Sequence, residues 1–182
     1  MIQRPHVMDI ANPPVALDRL LGELKDPDEV VQLRAVIALG ELDPPSRDAV
    51  PGLLDLVRAD DPELRRSVWR TLARIGPDVS RALREALSHA LHDREHRVVE
   101  SALRYMYVCG VVPAVEASSL VELLEHPDLG VRAGAALVAR KYLVGDRIAA
   151  FELRALRRAL WDPVPVVRAR VVRTLANVAP QR

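Results

Sequence analysis

Apolar side chains recur along this chain in two nested rhythms. Over short stretches they follow the three-to-four-residue spacing of one helix face. The stretches themselves then repeat: Leu21, Leu54, Leu87 and Leu120 lie 33 residues apart, each inside an apolar helical run, and Leu156 follows after 36. A fixed period in this range means stacked supersecondary units, none of which can bury its apolar face alone. Breakers keep the same time. Gly40, Gly76, Gly110 and Gly145, with Ala179-Pro180 in the fifth place, are expected to close the second helix of each unit. The pattern predicts an all-α, right-handed α-solenoid of about five helical hairpins.

The turns support this division. In the first hairpin a helix from about Val15 to Leu24 leads through Lys25-Asp26-Pro27-Asp28 into a second helix from about Glu29 to Leu39. Asp61-Pro62, His92-Asp93, His126-Pro127-Asp128 and Asp162-Pro163 sit at the corresponding turns. There proline suits the first helical position, and aspartate can cap free backbone N–H groups. Glycine ends a helix because it takes the left-handed conformation without a Cβ clash. The expected organisation is an N-terminal extension, 1–14, followed by one repeat domain, 15–182, with hairpins at about 15–46, 47–79, 80–114, 115–147 and 148–182.

Asp128-Leu129-Gly130-Val131-Arg132-Ala133 has the form aspartate, spacer, valine-arginine, small residue, and Val167-Arg168-Ala169 repeats its core. Asp61-Pro62-Glu63-Leu64-Arg65-Arg66, followed by Leu72-Ala73-Arg74-Ile75-Gly76, is close to it. These segments resemble HEAT repeats, particularly the short bacterial HEAT-like variety of phycobilisome lyases. The third hairpin departs most, with Arg97-Val98-Val99-Glu100 in that place and Tyr105 and Tyr107 where small residues are usual. The resemblance implies that the second helices line an inner, concave wall. It does not specify an activity, because many functions share one fold.

Counting backwards from each closing glycine, positions one, four and eight are apolar except for Gln32 and Lys141, and they define the expected core face. Position six lies roughly opposite. It holds Arg34, Arg70, Arg104, Ala139 and Arg173, with Arg140 beside the exception; flanking positions add Arg66, Arg74 and Glu100. The expected partner-binding groove is therefore Arg34, Arg66, Arg70, Arg74, Arg104, Arg140 and Arg173. Arg65, Arg97, Arg132 and Arg168 are better suited to structural pairing with the turn aspartates Asp26, Asp61, Asp93, Asp128 and Asp162. Exposed ion pairs contribute only about 0–1 kcal/mol each, so stability hardly demands the outer set.

Composition narrows the chemistry. Net charge is +1 and the aromatic content only 3%. Cys109 is the one cysteine, which excludes an internal disulfide and suits a buried thiol. No apolar run reaches the roughly 18 residues of a membrane span, and Met1 to Pro14 lacks the form of a secretion signal, so a soluble, cytoplasmic protein is expected. His89, His92 and His96, with Asp93 and Glu95, are weak metal candidates; no metal or cofactor is expected. The histidine-glutamate dipeptides of the di-iron HEAT-repeat hydroxylases do not occur. Neither does a phosphate-binding glycine loop or a setting for a serine nucleophile. Trp69 and Trp161 are expected to pack rather than stack on bases.

The reading is a noncatalytic scaffold whose groove receives a protein segment, most simply an acidic one. The alternative is nucleic-acid binding on a basic concave face, as in the alkylpurine DNA glycosylases, which are similar in being HEAT-like; the near-zero net charge and scarcity of lysine weigh against it. Lyase-type chromophore handling finds no residue beyond the repeat itself. The last helix carries Val164, Val167, Val171, Leu175 and Val178 on one side and Val166, Ala169, Val172 and Ala176 on another, which suggests self-association through its second face.

Overall fold

The computed structural model describes residues 13–78, 80–111, 117–142 and 150–178. Gly145, Val144, Ala179 and most of the expected N-terminal extension lie outside these residues. Among them run ten α-helices and no strand: α1 Pro13–Glu23, α2 Glu29–Glu41, α3 Val50–Asp55, α4 Pro62–Ile75, α5 Arg81–Leu91, α6 His96–Cys109, α7 Ala117–Leu123, α8 Leu129–Tyr142, α9 Ala150–Ala159 and α10 Pro165–Val178. They fall into two compact units, Met1–Ile75 and Gly76–Arg182. In the first, α2 packs on α4; in the second, α6 packs on α8 and α8 on α10.

The second helices share one register, anchored by a valine or leucine early in each: Val31, Leu64, Val98, Val131 and Val167. The last four anchors are fully buried, and so are the residues four places on, Ala35, Val68, Ala102, Ala135 and Val171. Positions i and i+4 share a helix face, so this pair of sites faces the core in every hairpin.

Polar side chains fix the turns. Asp26 accepts from the Asp28 amide at 2.8 Å, Asp61 from Glu63 at 2.9 Å, Asp93 from Glu95 at 2.9 Å and Asp162 from Val164 at 2.8 Å. The residue after the anchor then reaches six places back. Gln32 Nε2 donates to the Asp26 carbonyl at 2.7 Å. Arg65 Nη1 donates to Ala59 and Asp60, Arg132 Nη1 to His126 and Pro127, and Arg168 Nη1 to Asp162 and Pro163, all at 2.6–3.0 Å. Each such staple satisfies carbonyls of the turn itself, which have no helical partner. Gln32, the polar exception on the expected core face, is thus the counterpart of three arginines. In the third hairpin the staple position is Val99, which is buried, while Arg97 is exposed.

Between hairpins, short side chains let helices approach and then bond them. Thr71 Oγ1 donates to the Val36 carbonyl at 2.9 Å, and Thr174 Oγ1 to Ala136 at 3.2 Å. Gly76 and Gly110 have the positive φ expected of helix closers, 105° and 70°. Gly40 does not close its helix: it lies buried inside α2, where a Cβ would come within 2.7 Å of Thr71 Oγ1. It is a close-packing glycine, and the terminator reading fails there.

Tyr105 is fully buried, and its oxygen accepts from the Asp78 amide at 3.1 Å. Burial pushes its phenol up to about 12. Trp69 is buried as expected, but Trp161 is 87% exposed. Around that turn the core positions are already taken by Leu156, Ala159 and Val167, so the indole is left outside.

Candidate functional site

Two residues beyond the buried fourth position, about 200° round the helix, come Ile37, Arg70, Arg104, Leu137 and Arg173. Arg70, Arg104 and Arg173 are exposed, Ile37 is largely so, and Leu137 is half-buried. Arginine therefore holds this register position in three of the second helices, Arg70 in the first compact unit and Arg104 and Arg173 in the second. Arg34 lies one turn earlier, at the third position after Val31. Ala139 is a fully buried core residue at the eighth position, with exposed Arg140 next to it. Counting from glycines misaligned Arg34 because Gly40 is a packing residue rather than an end marker.

Arg66 is ion-paired with Glu63 at 2.9 Å on the same helix face, an acid the sequence reading did not place there. Glu100 lies against Gly130 and Asp128 of the next hairpin. Among the described residues Arg34, Arg70, Arg74, Arg104, Arg140 and Arg173 make neither ion pair nor hydrogen bond, and all six are exposed.

The inner arginines are occupied. Besides stapling its own turn, Arg132 donates from Nε to Asp162 Oδ2 of the following hairpin at 2.6 Å, with side chains only 13% and 5% exposed. Burial opposes the ionisation of Asp162, but the Arg132 bond, the Val164 amide and the charges of Arg132 and Arg168 outweigh it and hold the carboxyl below its ordinary value. Arg170 Nη1 donates to the Ala133 carbonyl at 2.6 Å, a further tie between α10 and α8.

The histidines are dispersed into local roles. His92 Nδ1 is 2.9 Å from the Ser88 carbonyl, to which it donates, and His89 is exposed. His96 lies between Glu95, at 3.1 Å, and Asp128, at 3.9 Å. No group of three or more His, Cys, Asp or Glu side chains converges as a metal site among the described residues. Cys109 is half-buried, and burial pushes its thiol up. Lys141, an expected core exception, is exposed; its Nζ bonds the Tyr107 carbonyl at 2.9 Å and sits 5.6 Å from the centre of that ring.

Solved structures share this arrangement of helices. An engineered protein superposes with a TM-score of 0.72 at 23% identity, covering 88% of this chain and 78% of its own. A designed armadillo repeat protein in complex with the peptide (KR)4 gives 0.73 at 18% identity, covering 91% and 82%. Computationally designed armadillo repeat proteins for modular peptide recognition give 0.73 at 17%, covering 91% and 83%. The fold class is an α-solenoid of stacked helical hairpins, an architecture typical of interaction scaffolds and generally noncatalytic. Residues 17–106 match the family of HEAT repeats. That stretch of the chain is built of HEAT repeats. None of the curated proteins matches it in sequence. No helix among the described residues is long and apolar enough to cross a membrane.

Proposed function

We propose that this HEAT-repeat chain is a noncatalytic, cytoplasmic interaction module that takes an acidic protein segment through exposed arginines of its second helices. The observation that supports this reading is the division of labour among arginines. Those at the staple position are bonded to turn carbonyls, whereas Arg104, Arg140 and Arg173 in the second compact unit, and Arg34, Arg70 and Arg74 in the first, are exposed and without partners among the described residues. Charged donors left in water can form charge-assisted, bidentate bonds to carboxylates. Arg66 joins them only by giving up Glu63. Designed armadillo neighbours bind peptides, and the exposed arginines make an acidic segment the charge-complementary partner here. Self-association through α10 is the second part of the reading, supported by the exposure of Val166 and Val172.

Fluorescence anisotropy with a labelled octaglutamate peptide tests the acidic-segment reading. Wild type is expected to bind, and R104E/R140E/R173E to lose at least about tenfold in affinity while keeping its melting temperature. Duplex DNA forms the second arm. DNA binding whose log affinity falls with log salt at about 0.9 per phosphate, in the absence of peptide binding, would transfer the site to the nucleic-acid alternative.

A further inference from the structure

The face of α10 that follows Thr174 round the helix is built like interfaces that the chain already uses internally. In α8 the second and fifth residues after the anchor, Ala133 and Ala136, are buried because α10 lies over them, with Arg170 and Thr174 donating to their carbonyls. In α2 the fifth residue, Val36, is buried in the same way under Thr71. The equivalents in α10 are Ala169 and Val172. Both are exposed, Val172 by 53%.

Arg168 is half-used in the same sense. Arg132 divides its guanidinium between its own turn, through Nη1, and Asp162 of the next hairpin, through Nε and Nη2. Arg168 makes the matching Nη1 bonds, while its Nε and Nη2 have no partner among the described residues.

The first hairpin carries the complement. Asp26 stands five residues before its anchor Val31, as Asp162 does before Val167, and each accepts from the amide two residues on at 2.8 Å. Asp162 has an arginine; Asp26 has no ion pair among the described residues. Arg34 stands three residues after Val31, as Arg170 does after Val167, and is exposed rather than bonded to a carbonyl.

We infer that the occupant of the α10 face is a second copy of this chain, joined head to tail. Its α2 continues the stack, its Asp26 pairs with Arg168, and its Arg34 donates to the Ala169 carbonyl. This deepens the self-association reading and rests on it. The contact is heterologous, so it leaves a free head and a free tail on each pair and continues from copy to copy until a rotation closes it into a ring.

Sedimentation velocity over a concentration series reads the outcome. Wild type is expected to form a ladder of oligomers. V172E, which spoils the tail, and R34E, which spoils the head, are each expected to be monomeric. Their mixture is expected to give a one-to-one dimer that grows no further, because one intact head meets one intact tail. Adding Asp26→Asn to the V172E chain should weaken that dimer about tenfold. Monomeric wild type would overturn self-association altogether. Oligomeric R34E beside monomeric V172E, with no dimer on mixing, would overturn the head-to-tail arrangement while leaving self-association through α10 intact. V172E that still associates would remove α10 from the contact.

Discussion

The third and fifth hairpins solve one problem by opposite chemistry. Both must hold a tight turn between two helices and seat the second helix on the core. The fifth does so with charge: Arg168 staples its turn carbonyls, and Arg132 of the preceding hairpin reaches in to the nearly buried Asp162. The third has buried Val99 at the staple position, and it gains support from the fully buried Tyr105 bonded to the Asp78 amide. The turn is thus held by bonds to its carbonyls in the fifth hairpin, whereas the third packs Val99 there and ties its second helix to the link before α5 through Tyr105. The two solutions should differ in their response to pH and to mutation.

The largest effect should come from Arg132→Ala, which leaves the Asp162 carboxylate buried with reduced compensation and strips two carbonyls of their donor. About 3 kcal/mol of unfolding free energy should be lost in urea titration. A loss under about 1 kcal/mol would mean that Arg168 alone suffices. Because the Asp162 carboxyl is held below its ordinary value, its contribution is present above about pH 4 and is lost as the pH falls through the folded value. The acid limb of stability should therefore be shallower in the variant than in wild type.

Tyr105→Phe should cost about 1 kcal/mol, the net worth of one hydrogen bond. Here the sign of the pH effect reverses. A phenol pushed up to about 12 stabilises the fold fully below about pH 10. That stability is lost between about 10 and 12 as the unfolded state ionises first. Alkaline unfolding should shift upward in the variant, and an unchanged alkaline midpoint would show that Tyr105 does not govern the third hairpin's pH response.

The smallest effect is a gain. Gln32→Arg should let the first hairpin bond both turn carbonyls as the second, fourth and fifth do, raising stability by up to about 1 kcal/mol. No gain in the denaturant midpoint would show that Gln32 already does all that an arginine can at that turn.

The repeat was legible because five hairpins must bury equivalent faces, and Leu87, Leu120 and Leu156, with Val131-Arg132 and Val167-Arg168, mark those faces directly; in the first two hairpins the buried residue is one place earlier than the expected Leu21 and Leu54, at Leu20 and Leu53. The proline and aspartate turns were legible for the same reason: their chemistry is local. The register of the arginines was not. A glycine can end a helix or admit a neighbour, and only the approach of Thr71 to Gly40 tells which. Nor could the sequence show that Gln32 stands in for an arginine, since its counterpart carbonyl lies six residues back across a turn. A better signal was available in Val131-Arg132 and Val167-Arg168 and their counterparts Val31, Leu64 and Val98: numbering from these anchors takes Arg34 and Ala139 out of the register that Arg70, Arg104 and Arg173 share.

What the sequence determined by itself was the class of the molecule: helices, their pairing into hairpins and the repeated apolar seam, all consequences of short-range periodicity and turn chemistry. What only the tertiary structure decided was which polar groups are used up. Whether an arginine is a staple, an ion-pair partner or an open donor depends on carbonyls and carboxylates brought near it by chain folding, and spacing along the sequence does not encode those distances. Exposure follows the same rule. Val172 and Val36 are the same side chain at the same register position, and they differ because one has a helix packed over it.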